Sequence, residues 1–122
     1  LNERKNQIYA VRGNCEAEVD QMVLDFPVMA DYCILAIEGK TMYATHGHIY
    51  NKDNLPPMMD GDILIHGHTH VLKAENMGNY ILLNPGSVSI PKEGNPPTYA
   101  ILENGIFTIK DFEGNTVREI TL

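Results

Sequence analysis

The chain has 122 residues, 43% of them hydrophobic, two cysteines and a net charge of −7. That length and apolar content support one domain with its own core. The acidic balance and the lack of any Lys/Arg cluster exclude a nucleic-acid footprint built on phosphate neutralisation, no apolar run approaches the ~18 residues of a membrane span, and two cysteines make no disulfide framework, so a reducing cytoplasm is the expected setting.

The first residue is Leu1 rather than Met, and the sequence is expected to start inside a longer gene product. Leu1–Asn6 is polar and reads as the tail of a helix. Ile8-Tyr9-Ala10-Val11 reads as a short apolar strand that runs into Arg12-Gly13-Asn14-Cys15, with Gly13 supplying the turn. From Cys15 to Asp25 the pattern is helical, because Val19, Met22, Val23 and Phe26 recur at i, i+3, i+4, i+7. Glu16, Glu18 and Asp20 occupy its first turns, where the helix dipole favours acids, and Pro27 stops it. Asn14 then sits at a strand tip. It reads equally as a helix N-cap or as a side chain offered to a ligand.

From Tyr32 the character is β. Cys33–Ile37 and Lys40–Ala44 flank Glu38-Gly39, a two-residue hairpin signal. Around Pro56-Pro57 the residues Asn54-Leu55 and Met58-Met59 are expected to form a short helical turn. Asp62–Ile65 is the next strand. Val71–Glu75 and Tyr80–Leu83 flank Met77-Gly78-Asn79, a second hairpin. Asn84-Pro85-Gly86-Ser87 ends a strand, and Pro91–Pro97 is a loop. Thr98–Leu102, Ile106–Ile109 and Val117–Leu122 form a meander in which Asn104-Gly105 is the strongest hairpin signal.

The chemistry gathers in the middle. All five histidines lie in Thr45-His46-Gly47-His48 and His66-Gly67-His68-Thr69-His70, each cluster at the end of an apolar run. Two neighbouring strands ending side by side would bring these imidazoles to one sheet edge, where ligands of open α/β sheets bind. Imidazoles with an Asn carbonyl suit Zn, Mn, Fe or Co better than Ca. His68 and His70 either point the same way, as i and i+2 do in extended backbone, or fan out to two adjacent metals. Carboxylate is lacking: Asp60 and Asp62 lie at the wrong end of their strand, and Glu16 is assigned to the helix start. A hydrolytic two-metal centre wants a bridging carboxylate, so by its own residues the chain offers an incomplete site.

Taken together, Gly13-Asn14, Thr45-His46-Gly47-His48, Gly67-His68-Thr69-His70 and Asn84-Pro85-Gly86-Ser87, in this order and spacing, resemble the calcineurin-like metallophosphoesterases. Arg12–Cys15, Leu55-Pro56 and the run from Asn84 to Lys92 resemble a branch of small bacterial phosphodiesterases. The resemblance covers essentially the whole chain but lacks two motifs, an Asp-x-His and a Gly-Asp, that precede this point in the family. It implies an α+β, strand-rich fold with one clear helix: the C-terminal two-thirds of a four-layer α/β/β/α sandwich, read as a single, N-terminally truncated domain over residues 1–122.

The same resemblance implies Asn14, His46 and His68 as ligands of one metal and His70 as ligand of another. Manganese is the expected ion, with Zn, Fe or Ni as alternatives. Cys15, which stands where many relatives carry a histidine acid, and His48 are the expected catalytic side chains, though His48 fits a supporting position beside the metal too. His66 is expected to be structural. Gly86 and Ser87 are expected near a substrate phosphate, or else merely to end a strand. The implied activity is two-metal hydrolysis of a small-molecule phosphodiester, impaired in this chain by the absent motifs. Removal of strands would leave a sheet edge and an apolar face, so a homo-oligomer is expected. The competing reading is a non-catalytic scaffold, since a retromer subunit of the same fold resembles the two His motifs.

Overall fold

Alternation of apolar and polar residues, with glycines at the reversals, builds eight strands in the computed structural model, which describes residues 1–122. The strands are β1 (Tyr32–Ile37), β2 (Lys40–Thr45), β3 (Ile63–His66), β4 (Lys73–Asn76), β5 (Ile81–Asn84), β6 (Thr98–Glu103), β7 (Ile106–Asp111) and β8 (Thr116–Thr121). A single α-helix, α1 (Glu18–Val23), and a 3-10 helix over Asn2–Gln7 precede them. Five strands form one sheet in the order β1-β2-β3-β5-β4, and β6-β7-β8 form a second. The architecture is α+β and strand-rich.

The hairpins stand where local turn chemistry puts them. Glu38 (φ 51°) and Gly39 (φ 76°) both adopt positive φ between β1 and β2, as do Asn104 (φ 52°) and Gly105 (φ 74°) between β6 and β7. Positive φ at both central residues makes a tight two-residue turn compatible with strand twist. The remaining β-hairpin of the first sheet joins β4 to β5 in antiparallel register.

The central strands are parallel. β2 pairs β3, with Thr45 opposite His66, and β3 pairs β5, with Ile65 opposite Leu83. Successive side chains of a strand face opposite ways, so each central strand feeds two cores. Met42, Ile63, Leu72 and Leu83 pack with Phe107 and Ile109 between the two sheets. Tyr43, Leu64, Tyr80 and Leu82 pack on the outer face, together with Tyr32 and Met58. The Tyr43 hydroxyl donates to the Pro57 carbonyl (3.0 Å) and ties the long β2–β3 crossover over that face.

Three expectations are corrected. Ile8–Val11 is not a ladder strand: Ile8 is extended, but both sheets are built from later residues, and the one backbone bond at its end runs from the Arg12 N–H to the Ala30 carbonyl (2.8 Å). Extended backbone is a strand only when a neighbour takes its hydrogen bonds. The helix is shorter than the 15–25 pattern. It starts after Ala17, whose N–H is accepted by the Asp20 carboxylate (2.7 Å), and it turns Val19, Met22 and Val23 to solvent, leaving Phe26 and Val28 as the buried residues of this segment. No helical turn surrounds Pro56-Pro57. Asn51 and Asn54 exchange backbone hydrogen bonds (3.0 and 3.2 Å), and Pro57 has no N–H with which to propagate a helix.

Candidate metal centre

Parallel pairing of β2 and β3 makes both strands end at one edge of the sheet, and the histidine loops leave from there. The Gly67 N–H donates to the His46 carbonyl (2.9 Å), which holds the two loops side by side. As a result His46 Nε2 and His68 Nδ1 face each other at 3.2 Å. The His48 ring joins them, with centroids 5.2 Å from His46 and 6.2 Å from His68.

Glycine is required at position 47. Its φ is 117°, and a Cβ there would lie 2.8 Å from His66 Nδ1 and 3.1 Å from the His68 Cβ. Position 67 has no such constraint. His68 (φ 63°) and His70 (φ 60°) are both left-handed without being glycine, a conformation that costs roughly 1–2 kcal/mol per residue and gathers at functional sites. The strained turn separates the two imidazoles. His70 Nδ1 donates to the Ile90 carbonyl (2.9 Å), which leaves Nε2 as its free lone pair. The 90-turn is held in its own right by Ser87, whose Oγ accepts from the Ile90 N–H (3.0 Å).

Asn84 anchors the loop from beneath. It is fully buried. Its amide nitrogen donates to the Gly67 carbonyl and to Thr69 Oγ1, both at 3.1 Å, and its Oδ1 accepts from the Gly86 N–H (2.9 Å). The Gly86 N–H is thus engaged by Asn84 within its own turn. Gly86 is glycine because its φ is 88° and a Cβ would collide with Thr98 Oγ1. The supporting role of Asn84 is not read from the sequence, where Asn-Pro-Gly signals only a turn. An asparagine directly after the apolar Ile81-Leu82-Leu83 is the one hint that its amide is buried and therefore bonded.

The 13–15 turn comes up to His46 from the other side. The position a Gly13 Cβ would occupy lies 3.3 Å from His46 Nδ1 and in collision with the Glu16 carboxylate. Gly13 is not in the left-handed region, so it serves clearance, not the sharp turn expected of it. Asn14 and Cys15 form the exposed turn beside it. Asn14 does not cap α1, since the helix begins at Ala17–Glu18. Glu16 likewise is not the helix-start acid: Asp20 holds that place, and the Glu16 carboxylate turns back over Gly13 on the His46 side, where no carboxylate was expected.

Burial, followed by the neighbouring His68 and His48, holds the His46 imidazole below its ordinary pKa, with Glu16 opposing. His66 is buried and also held low, by burial first, while its Nδ1–H bond to the Gly67 carbonyl (3.0 Å) opposes. Both rings are therefore neutral at pH 7, the form that binds metal. His66 supports the loop as expected. Nδ1 of His48 is buried without a hydrogen-bond partner.

The donor set fits a divalent cation at one corner. Two nitrogens on one ion at metal–nitrogen distances of ~2.0–2.1 Å stand roughly 2.9–3.4 Å apart, and the His46–His68 pair meets that spacing. No three His, Cys, Asp or Glu side chains enclose an ion as they stand. The fit is to a bis-imidazole corner with Asn14 and His70 flanking it, not to a closed cage.

Comparison with known proteins gives the family. Residues 1–105 match the family described as the calcineurin-like phosphoesterase superfamily domain. Phosphodiesterase YfcE of Escherichia coli K12 is 46% identical over 109 residues, 89% of this chain, and the chain spans 59% of that relative's length. A probable metallophosphoesterase of Bacillus subtilis, YsnB, is 26% identical over 121 residues, 90% of the chain and 67% of that protein. Among solved structures, the E. coli YfcE phosphoesterase superposes with a TM-score of 0.94 at 41% identity, covering 99% of this chain and 67% of that one. Vacuolar protein sorting 29 of Cryptosporidium parvum shares the fold, with a TM-score of 0.53 at 18% identity over 91% of this chain and 79% of its own. The chain belongs to the calcineurin-like phosphoesterase superfamily.

Proposed function

We propose that these residues supply the histidine side of a metal-dependent phosphodiesterase site. The observation that carries this reading is the 3.2 Å approach of His46 Nε2 to His68 Nδ1 at the ends of two parallel strands. Two imidazole nitrogens aimed at one point are a ligand pair. Asn14 would complete this corner, and His70 Nε2, fanned away by the strained turn, would serve a second ion.

A bound divalent cation supplies Lewis-acid polarisation of a phosphoryl oxygen and acidifies water at neutral pH. The chain's own part is to hold and orient. His46 and His68 present their lone pairs to the site, Gly47 and Asn84 fix the loops, and the Ile90 carbonyl fixes the His70 tautomer. The reaction is hydrolysis of a small-molecule phosphodiester: a water oxygen forms the new P–O bond, one ester P–O bond breaks, and the departing alkoxide takes a proton. Cys15, in the Asn14 turn, and His48, packed on the ligand pair, are the candidates to hand over that proton. Manganese is the first choice of metal, with Zn, Fe or Ni as alternatives.

Four donors are fewer than two ions require, so in this reading further ligands come from outside the 122 residues. Phosphodiesterase activity then belongs to a longer product, and the 122-residue chain alone turns over slowly or not at all. Bis(p-nitrophenyl) phosphate with Mn²⁺ tests this. Rapid hydrolysis by a longer product that His68→Ala abolishes, with little by the 122-residue chain, supports the reading. Rapid turnover by the 122-residue chain defeats the incompleteness, and His68→Ala activity equal to wild type defeats the metal role. A homo-oligomer accords with the exposed stripe of Val19 (60%), Met22 (83%) and Val23 (63%) on α1, and a monodisperse monomer by light scattering would contradict it. The scaffold alternative has only a likeness of fold behind it.

A further inference from the structure

Glu16 has no task in the helix it precedes. Asp20 accepts the Ala17 N–H and starts α1, while the Glu16 side chain turns back over Gly13. There its Oε2 and His46 Nδ1 converge on one spot, the volume that a Gly13 side chain would fill. Gly13 is buried and its backbone is in an ordinary conformation. Conformational freedom therefore does not explain the glycine, whereas the carboxylate and imidazole that flank its bare Cα do; the two groups are not in direct hydrogen bond, and the carboxylate acts on the ring through its charge. The carboxylate comes from the Nδ1 side of the ring. The opposite nitrogen, Nε2, is the one that faces His68.

We propose that Glu16 is a positioning residue for the candidate metal centre: its negative charge on the Nδ1 side of His46, admitted by the bare Gly13, favours the imidazole with hydrogen on Nδ1 and the Nε2 lone pair presented to the metal corner. This rests on the metal reading above. Its chemistry is that of a carboxylate behind a ligating histidine, which fixes tautomer and ring orientation and raises the basicity of the other nitrogen. Negative charge near Nδ1 favours the tautomer that carries its proton there. In that tautomer Nε2 donates its lone pair without rearrangement.

The test uses the 122-residue chain, Zn²⁺ titrated by calorimetry, and nitrogen NMR of the histidine rings in the metal-free chain at a pH where they are neutral. Glu16→Gln keeps the side-chain volume and removes the charge. It is expected to weaken Zn²⁺ binding about 10-fold or more with an unchanged melting temperature, and to convert the His46 spectrum from the Nδ1–H form to a mixture of tautomers. Gly13→Ala, which displaces the carboxylate, is expected to do the same. Asp20→Ala, which removes the acceptor of the Ala17 N–H at the helix start, is expected to lower the melting temperature and leave Zn²⁺ affinity unchanged. Equal affinity and equal His46 spectra in Glu16→Gln and the unmodified chain would overturn the proposal. Failure of the unmodified chain to bind Zn²⁺ would instead overturn the metal centre, and the tautomer measurement would still decide the role of Glu16.

Discussion

Replacing Asn84 by alanine tests how the histidine loop is held. Asn84 is fully buried at the end of β5, and its side chain makes three hydrogen bonds, to the Gly67 carbonyl, Thr69 Oγ1 and the Gly86 N–H. A typical intramolecular hydrogen bond contributes a net ~1 kcal/mol, and a partner left buried without one costs ~1–3 kcal/mol. Thr69 is exposed and water can reach it. The Gly67 carbonyl keeps His66 Nδ1 as a donor, so its loss is partial. Gly86 N–H is half-buried and loses its acceptor. The sum is about 3 kcal/mol of lost stability. With a urea slope of about 1–2 kcal/mol per molar for a domain of this size, the unfolding midpoint falls by roughly 1.5–3 M. The second readout is local: loosening Gly67 and Thr69 frees the backbone on both sides of His68, so metal affinity falls as well. Leu83→Ala, one residue away in the sheet core, is the control. It costs ~2–5 kcal/mol through its cavity and leaves metal affinity in the folded fraction unchanged. A midpoint shift below that of a single hydrogen bond, or equal metal affinities in the two variants, would refute the anchoring role.

Two further predictions follow from the same geometry. His66 is held below its ordinary pKa, so the unfolded chain binds the proton first as pH falls. Its stabilising effect is complete above the unfolded value of about 6.5 and is lost as pH drops from there toward the folded pKa. Urea unfolding at about pH 7.5 and pH 5.5 should show lower stability at the acid end, with a smaller difference in His66→Gln. His46, lowered in the same direction, should leave a residual slope, and a slope unchanged by His66→Gln would contradict the assignment. Gly47→Ala, at φ 117° and facing the His66 ring and the His68 Cβ, should lose about 1–3 kcal/mol and weaken metal binding, while Gly61→Ala, which meets nothing within 4 Å, should show only the backbone cost by thermal unfolding.

What the sequence discloses divides along physical lines. The Glu38-Gly39 and Asn104-Gly105 hairpins are legible because a two-residue turn is decided by its own residues. The histidine clusters are legible because imidazoles directly after apolar runs have few other reasons to recur. Ile8–Val11 misleads because a strand is a property of two segments, and the sequence shows only one. α1 misleads at its start, where Glu16 carries the right charge for a first helical turn yet Asp20 makes the cap. Glu16 and Asn84 are hidden for a common reason. Each acts on a residue far along the chain: the parallel pairing of β2, β3 and β5 brings His46, Gly67 and Asn84 into one neighbourhood, and the bond from the Arg12 N–H to the Ala30 carbonyl carries Gly13 up to it.

The central claim is that His46 Nε2 and His68 Nδ1 hold one divalent ion between them. Anomalous diffraction at the zinc edge from crystals of the 122-residue chain grown with Zn²⁺ tests it most directly. The account predicts an anomalous peak about 2.0–2.1 Å from both nitrogens, with the Asn14 turn drawn toward it. A Zn-loaded crystal with no peak between them, and His46 and His68 still in mutual hydrogen bond, would contradict it.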